Sequence, residues 1–387
     1  MPNSVHAARW ISQLTAEGWD IYIFPSLRAE LNPSFHHVSI FAPSLTYSIQ
    51  GSSRSVQCVR WTGLFSFLDK MLSLVFRKPV DFFWKLALTW VIRLLKPDFI
   101  QSLEIQHAAY LVLSVREQFK NDFPKWAVTN WGNDIFLFGR FFEHAEKIRS
   151  ILRYCDYYSA ECHRDVNLAM EMGYRGKILP VIPNAGGYNL ERIMGFRQGG
   201  AVSARKVILL KGYQNWAGRA LVGLRSLARC ADVLNGYRVV IFAASPDVVM
   251  AANLFSQDTG IPVDILPNSN HDAMLRLHGQ ARIYIGLNIS DGISISSLEA
   301  ILMGAFPIQS CTACSDEWIV NGVNGFIVPP EDPDIIAVAI REAVLNDSLV
   351  DSANEYNKKL ARERLDEKII EPQVIAMYKE ILAERDN

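Results

Sequence analysis

Two carboxylates, Asp291 and Glu299, stand eight residues apart in the second half of the chain. They flank a polar turn at 292–294, which follows an apolar segment at 281–289 and precedes a helix predicted near 294–303. A strand that passes through such a turn into a helix leaves free backbone N–H groups and the positive end of the helix dipole facing the turn. This arrangement suits a phosphate group, and the carboxylates suit the hydroxyls of a sugar or ribose.

Two cations, Lys211 and Arg219, lie at the ends of the loop KGYQNWAGR. A site that binds phosphate without a metal must balance the negative charge with cations, backbone N–H groups and helix dipoles. Lys211 and Arg219 are candidates for that role. The alternative is that both are solvated charges at a junction between a strand and a helix.

The second half of the chain alternates between short apolar segments and helical segments. This alternation predicts a parallel sheet covered by helices on both faces, because strands buried on both faces are nearly continuous apolar runs. The predicted strands are 206–211, 238–244, 263–266, 281–289, 306–310 and 325–330, and the predicted helices are 217–234, 246–257, 270–279 and 294–303.

The first half follows a similar but less regular pattern. Its predicted strands are 20–26, 36–44, 98–105, 126–131, 155–161 and 177–184. A stretch rich in glycine and polar residues at 186–205 is predicted to be an interdomain linker. We therefore expect an N-terminal domain at 1–185, a second domain at 206–365 and a C-terminal helix at 366–387.

The composition is that of a globular protein, with 50% hydrophobic and 20% charged residues in a chain of 387 residues, a length that suits two domains. The formal net charge of −1 argues against a nucleic-acid binder that relies on bulk positive charge. The six cysteines lack the spacing of a disulfide framework, and the pair Cys311 and Cys314 is a weak zinc signal, so we expect no metal. Without an apolar run long enough to cross a membrane, a cytoplasmic location is expected.

The segment around the two carboxylates resembles the signature of retaining, nucleotide-sugar-dependent glycosyltransferases of family 4, the group 1 glycosyltransferases. In that family two glutamates are separated by seven residues, and a helix end, a strand and a glycine-containing turn follow. This chain departs from the pattern at the first acid, where aspartate replaces glutamate. The residues that carry the resemblance are Asp291, Glu299, Ala300, Gly304, Pro307, Asn324 and Gly325.

The resemblance implies an α/β fold of the GT-B type, with two Rossmann-like, doubly wound parallel-sheet domains facing a central cleft and the C-terminal helix packed back on the first domain. It also implies a retaining, metal-independent hexosyltransferase without a cofactor, using a nucleoside-diphosphate sugar and a glycan or lipid-linked acceptor in the synthesis of cell-surface polysaccharide or glycoconjugates. The residues it points to are Asp291, Lys211, Arg219 and His107 for catalysis and Glu299, Gly292, Ile293, Ser294 and Gly212 for donor binding.

Two other functions stay open at this point. One is a catalytically degenerate subunit that binds a nucleotide sugar without turnover, which the aspartate at position 291 favours. The other is a nucleotide-sugar epimerase on the same fold, although the second half does not assemble the several acids and histidines that such a site usually needs.

The N-terminal segment at 3–14 resembles the loop and helix that normally follow the first strand of this domain. No apolar strand precedes it in the sequence. Because loss of a central strand removes hydrogen bonds and packing from both neighbours, we expect that a further N-terminal segment supplies it.

Residues 64–95 are rich in aromatic and apolar side chains interrupted by Lys70, Arg77, Lys78, Lys85 and Arg93. The charges exclude a membrane span. An interfacial helix pair or an apolar acceptor groove is predicted, which would place the protein at the inner face of the cytoplasmic membrane. The alternative is an N-domain helix with one buried face.

Overall fold

The chain divides into two compact units. The computed structural model describes residues 3–27, 31–41, 56–58, 63–76, 82–119, 121–267 and 269–384. One unit comprises Met1–Gly186 with Glu371–Asn387, and the other comprises Gly187–Ile370. The last helix of the chain therefore begins in the second unit and ends in the first.

The first unit contains short strands and helices in alternation. Its elements are α1 (Val5–Ser12), β1 (Tyr22–Ile23), β2 (Val38–Ile40), β3 (Val56–Cys58), α2 (Gly63–Phe76), α3 (Phe82–Leu95), β4 (Phe99–Leu103), α4 (Tyr110–Arg116), β5 (Lys125–Thr129), α5 (Phe142–Tyr154), β6 (Tyr157–Ser159), α6 (His163–Glu171) and β7 (Lys177–Ile178).

The second unit continues the alternation with longer strands. Its elements are α7 (Leu190–Met194), β8 (Val207–Lys211), α8 (Ala220–Ala228), β9 (Arg238–Phe242), α9 (Pro246–Thr259), β10 (Val263–Leu266), α10 (His271–Gln280), β11 (Ala281–Gly286), α11 (Ile295–Met303), β12 (Phe306–Ser310), β13 (Phe326–Val328), α12 (Pro333–Leu345), α13 (Asp347–Arg364) and the start of α14 (Glu367–Ala383).

The strands predicted from the sequence are confirmed, with shorter bounds in several places. The strand predicted at 36–44 is β2, and residues 42–44 lie outside the described part of the chain. The helix predicted at 217–234 ends earlier, at Ala228, and a separate 3₁₀ turn follows at Ala231–Val233. The local apolar pattern therefore predicts where the strands and helices lie, whereas the residues at which they end depend on packing.

The segment predicted to be a linker, 186–205, is packed into the second unit from residue 187 onward. Ile193 and Val202 have buried side chains, and Ser203 Oγ donates a 2.7 Å hydrogen bond to Asp351 at the start of α13. The side chains of Ile193 and Val202 are buried in hydrophobic clusters of this unit, and the interdomain linker predicted from the sequence stays a prediction.

A single six-stranded parallel sheet organises the second unit, in the order β10-β9-β8-β11-β12-β13. The chain builds outward from β8 in one direction and then returns to build outward from β11 in the other. The strand order thus reverses between β8 and β11. Helices α8, α9 and α12 contribute buried apolar side chains to the main cluster on one face of this sheet.

The first unit contains two parallel sheets within the described residues, β1-β2-β3 and β4-β5-β6-β7. A cavity of about 160 Å³ is lined by Tyr22 and Phe24 near β1, by Phe99 and Gln101 of β4 and by Val91 of α3. The edge strands β1 and β4 therefore line the same cavity. They do not pair with each other within the described residues.

The end of α14 packs within the first unit. Trp10 Nε1 of α1 donates a 2.8 Å hydrogen bond to Tyr378 Oη, and that hydroxyl in turn donates to Gln101 of β4. Burial raises the pKa of Tyr378 well above its ordinary value, so the hydroxyl stays neutral and can donate. These two hydrogen bonds link the C-terminal helix to the four-stranded sheet.

Arg282 on β11 joins the six-stranded sheet to the end of α12. The side chain is 1% exposed and sits at a shift in the register between β11 and β8. Its guanidinium donates to the carbonyls of Ala343 (3.0 Å), Val344 (2.8 Å) and Ser203 (2.5 Å) and pairs with Asp347 at 2.7 Å. The guanidinium thus satisfies carbonyls at a helix end that have no intrahelical partner.

Arg282→Met should lower the free energy of unfolding by about 2–4 kcal/mol, because buried carbonyls lose charged donors and Asp347 loses its partner. Urea unfolding measures the change. Arg238→Met on the neighbouring strand β9 is the control, since Arg238 pairs with Asp264 at the surface and should cost less than about 1 kcal/mol. Equal effects of the two substitutions would contradict the role assigned to Arg282.

Candidate functional site

The loops after β8 and β11 lie side by side where the strand order reverses. The Arg219 N–H donates to the Leu287 carbonyl and the Ile289 N–H donates to the Ala217 carbonyl, both at 2.9 Å. In open parallel sheets, ligands bind outside the carboxyl ends of the strands at such a reversal. The topology therefore marks these two loops and the start of α11 as the candidate site of the second unit.

Gly212 lies at the beginning of the first of these loops. Its N–H donates a 2.8 Å hydrogen bond to the Phe242 carbonyl of β9. A Cβ atom at this position would lie 2.7 Å from Ala244 Cα. The close approach of the two backbones therefore requires glycine here, which gives Gly212 a packing role beside the donor-binding role predicted for it.

Lys211, the last residue of β8, carries the positive charge of the site. Burial by itself would lower the pKa of the Lys211 ammonium, yet the pKa is raised because Tyr284, Asp291 and Glu299 act on it electrostatically. Three residues predicted from separate parts of the sequence, Lys211, Asp291 and Glu299, are thereby placed within electrostatic reach of one another. A cation held charged among carboxylates can receive the negative charge of a diphosphate.

Asp291 is held by local hydrogen bonds. One carboxylate oxygen accepts from Asn288 Nδ2 at 2.9 Å, and the other accepts from the Gly292 N–H at 3.0 Å. The Gly292 N–H was predicted to face a ligand. In this structure it donates a hydrogen bond to the neighbouring carboxylate of Asp291. A ligand at this turn must therefore compete with, or add to, the Asp291 contact.

The start of α11 leaves buried polar oxygens without partners in the described part of the chain. They are Ser290 Oγ, Ser294 Oγ, Ser297 Oγ and Tyr284 Oη, although the Tyr284 hydroxyl lies next to the Ser294 side chain and interacts with it. Ser294 is the N-cap residue of α11, yet its side chain makes no capping hydrogen bond, and the side chain of Ile293 is buried in a hydrophobic cluster. Buried hydroxyls usually have a partner, so Ser290 Oγ, which has none among the described residues, fits a site that a polar ligand completes.

Glu299 lies on α11 with only 5% of the residue exposed. Its Oε1 atom is 2.8 Å from His271 Nε2, and its Oε2 atom is 3.9 Å from His278 Nδ1. Burial lowers the pKa of His278, so that ring is neutral. His271 is therefore the direct partner of the Glu299 carboxylate, and its side chain is still 36% exposed.

The two histidines were not predicted from the sequence. Both lie on α10, seven residues apart, which places them on the same face of that helix. That spacing, on the helix that precedes β11, is the signal that points to them. It becomes informative only once α10 is known to pack beside α11.

Two predicted catalytic residues have other surroundings. Arg219 Nε pairs with Glu331 at 2.8 Å, and its Nη1 atom donates to the carbonyls of Asn215 and Gly218, so it stabilises the first loop. His107 belongs to the first unit, in a π-helical turn at Ile105–Ala109 that follows β4. The remaining predicted residues lie on the two loops of the second unit and on α11.

Comparisons with known proteins agree with this architecture. Residues 253–360 match the protein-family model of glycosyl transferases group 1. This segment contains α10, β11, the turn at 291–294 and α11. No curated protein matches the sequence.

Several solved structures share the fold across nearly the whole chain. Anabaena HepE in complex with UDP-glucose has a TM-score of 0.67 at 14% identity, covering 98% of this chain and 97% of that chain. Sucrose-phosphate synthase from Thermosynechococcus elongatus has a TM-score of 0.66 at 14% identity, with 98% and 93% covered. A glycosyltransferase from Rickettsia africae has a TM-score of 0.64 at 15% identity, with 98% and 95% covered.

These likenesses define the class of the fold. The chain has the α/β architecture of GT-B glycosyltransferases, with parallel sheets in both units. The fold predicted from the sequence is confirmed, and the glycosyl transferases group 1 match falls on the segment that carries Asp291 and Glu299.

Glu299→Gln tests the role predicted for this carboxylate. If ribose hydroxyls donate to Glu299, the nucleotide affinity should fall by about 1.5–3 kcal/mol, the range for a hydrogen bond to a charged group. Titration calorimetry with nucleoside diphosphates measures the change. The control is Glu342→Gln on α12, whose exposed carboxylate pairs only with Asn346 among the described residues. An unchanged dissociation constant in folded Glu299→Gln would remove Glu299 from the donor site.

Proposed function

We propose that this protein is a retaining, metal-independent glycosyltransferase of the hexosyltransferase type. It moves a sugar from a nucleoside-diphosphate sugar to a glycan or lipid-linked acceptor, in the synthesis of cell-surface polysaccharide or glycoconjugates. The observation that carries the proposal is the grouping of Lys211, Asp291 and buried Glu299 at the strand-order reversal, and the two carboxylates of this group lie inside the segment that matches glycosyl transferases group 1.

In this proposal the donor lies along the loops of the second unit. Glu299 accepts hydrogen bonds from the ribose hydroxyls, and the start of α11 with Ser294 receives the diphosphate. Lys211 offsets the charge that develops as the bond from the sugar to the diphosphate breaks. Asp291 contacts the sugar, directly or through water, since its side chain is one methylene shorter than the glutamate of the resembled signature.

Retention follows from attack on the same face of the sugar that the diphosphate leaves. The bond between the anomeric carbon and the diphosphate oxygen breaks, and the acceptor oxygen forms the new bond. The departing diphosphate takes the proton of the acceptor hydroxyl. Lys211 and the N–H groups of α11 perform the charge compensation that a metal ion performs in other transferases.

The degenerate binding subunit remains a second candidate because of one specific observation. Asp291 is engaged by Asn288 and by the Gly292 N–H. A carboxylate satisfied by its own loop can stabilise the turn without any contact to a sugar. Turnover, as opposed to nucleotide binding, separates the two candidates.

A thermal-shift screen against UDP-, GDP-, ADP- and TDP-sugars identifies the donor, because a ligand that binds only the folded state stabilises it. UDP-glucose is the first donor to test, since HepE was crystallised with it. Release of nucleoside diphosphate with an acceptor-containing membrane extract then measures transfer, in EDTA and with added manganese. Activity that vanishes in EDTA and returns with manganese would contradict a metal-independent mechanism.

Asp291→Ala should lower turnover more than nucleotide binding, because its proposed contact is to the reacting sugar. Asp291→Glu should retain transfer with the same or an altered choice of donor sugar. Asp247→Ala, at an exposed position on α9, is the control and should leave both quantities unchanged. A well-folded protein that binds a nucleotide sugar but releases no diphosphate with any acceptor pool favours the binding subunit.

The helices α2 and α3 carry the proposed contact with a membrane surface. Among the described helices, none combines the length and apolar character that crossing a bilayer requires. Exposed apolar side chains line both helices, with those of α3 at every fourth residue, and the exposed Lys70, Arg93 and Lys96 lie on or just after them. The exposed apolar residues are Leu64, Phe67, Met71, Leu74, Val75, Phe76, Phe82, Leu86, Trp90 and Leu94.

An apolar face accompanied by cations fits the interface of an anionic bilayer. The predicted cations Arg77 and Lys78 lie outside the described residues. We propose a cytoplasmic protein that binds the inner face of the membrane through α2 and α3, where a lipid-linked acceptor would be presented.

The double substitution Leu74→Glu and Leu86→Glu should reduce flotation with vesicles of anionic phospholipid, because each glutamate replaces an exposed apolar contact with a charge that the bilayer repels. Val338→Glu, at a position 69% exposed on α12, is the matched control. Equal flotation of the two variants would exclude α2 and α3 as the membrane contact.

A further inference from the structure

Three buried carboxyl residues gather at the carboxyl-end edge of the four-stranded sheet in the first unit. Glu104 follows β4, Asp134 follows β5 and Asp165 follows β6, and each is at most 4% exposed. This edge is the position where parallel sheets bind ligands. His107, which was predicted from the sequence to be a site residue, lies next to these carboxyls.

Glu104 has an unusual backbone conformation. Its φ of 90° and ψ of 146° lie in a region that is almost restricted to glycine. The side chain turns back and accepts hydrogen bonds from the His107 N–H at 3.1 Å and the Ala108 N–H at 3.3 Å, which caps the π-helical turn. Strained residues of this kind persist where the surrounding structure holds them, and they cluster at functional sites.

The same carboxylate holds the ring of His107. Its Oε1 atom lies 2.7 Å from His107 Nδ1, while 43% of the histidine side chain is exposed. An ionised carboxylate can only accept hydrogen bonds, so Nδ1 must carry the proton in this pair. In the neutral ring Nε2 is then left with its lone pair, and it has no hydrogen-bond partner in the described part of the chain.

Asp134 accepts hydrogen bonds from the backbone next to Glu104. Its carboxylate accepts from the backbone N–H groups of Ile105 at 2.8 Å and Trp131 at 2.9 Å. Burial, followed by the negative charge of Glu104, raises the pKa of Asp134 well above its ordinary value. Glu104, whose carboxylate lies 2.7 Å from the His107 ring, serves as the acceptor for His107 Nδ1.

We propose that Glu104 is a positioning residue that fixes His107 in the tautomer protonated at Nδ1, so that Nε2 accepts a hydrogen bond from a hydroxyl of a sugar bound at this edge of the four-stranded sheet. The contact to a sugar rests on the proposed function, whereas the tautomer does not. No proton is transferred to the ring, because the leaving diphosphate takes the proton of the acceptor. His107 thus selects a ligand that offers a hydroxyl donor at this edge of the sheet.

Glu104→Gln is the variant that distinguishes positioning from simple packing. The backbone N–H groups of His107 and Ala108 require an oxygen, so the glutamine places its oxygen on them and its NH₂ group against the ring. Nδ1 must then accept, and the proton moves to Nε2. The side chain keeps its size, and the variant is expected to fold.

Two-bond ¹H–¹⁵N correlation spectra of the full-length protein at neutral pH report the tautomer of each histidine. The proposal expects His107 to be protonated at Nδ1 in the wild type and at Nε2 in Glu104→Gln. His144, whose Nδ1 lies 2.8 Å from Tyr110 Oη in the same unit, is the internal control and should not change. A wild-type ring protonated at Nε2, or an unchanged ring in Glu104→Gln, overturns the proposal.

Transfer kinetics with the donor found in the thermal-shift screen test the sugar contact. Glu104→Gln and His107→Asn should each lower kcat/KM by about tenfold or more, the scale expected when a ligand hydroxyl loses its acceptor. An inverted tautomer with unchanged kcat/KM overturns the contact to the sugar. A wild-type protein without transferase activity contradicts the proposed function instead, and the spectra still decide the tautomer.

Discussion

The reversal of strand order between β8 and β11 is the constraint on which the second unit depends. Parallel strands need crossover helices, and a chain that builds outward in both directions from two central strands leaves a crevice at their carboxyl ends. Lys211 ends one of these strands, and the turn with Asp291 follows the other. The loops cannot separate without breaking the backbone hydrogen bonds that join them at Arg219 and Ile289.

This geometry brings the half-buried Lys211 and Asp291 near the buried carboxylate of Glu299. A buried carboxylate such as Glu299 is costly unless hydrogen bonds and opposite charges compensate it. His271 supplies the hydrogen bond, and Lys211 supplies the nearby positive charge. The hydroxyls of Tyr284 and Ser294 extend the polar lining, so the second unit presents a preorganised polar surface at the start of α11.

The first unit applies a related principle with different residues. Glu104 follows the short strand β4 and has a strained backbone. Its carboxylate accepts hydrogen bonds from N–H groups at the start of a π-helical turn and also contacts one ring nitrogen of His107. Backbone capping and side-chain orientation are thus performed by the same two oxygens. A substitution that is conservative in shape can therefore alter the donor and acceptor pattern of His107 without altering the fold.

The sequence by itself determined the class of the fold and the location of its strands and helices. Apolar runs such as 207–211 and 281–286 are buried on both faces, and this burial is encoded locally in residue type. The resemblance around Asp291 and Glu299 also predicts a donor site on the loops at the reversal of strand order, and that site stays a prediction. Residues 187–205 were predicted to link two domains because they are rich in glycine and polar residues, although Leu190, Ile193 and Phe196 among them pack in a hydrophobic cluster.

Only the tertiary structure decided which side chains are partners. His271 pairs with Glu299 across 28 positions of sequence, and Arg219 pairs with Glu331 across 112. The strained backbone of Glu104 and the burial of Asp134 likewise depend on contacts between strands that are distant along the chain. Periodicity reports which face of an element is buried, but the identity of the neighbour depends on how the elements pack, and hydrogen-bond partners and pKa shifts follow from that neighbour.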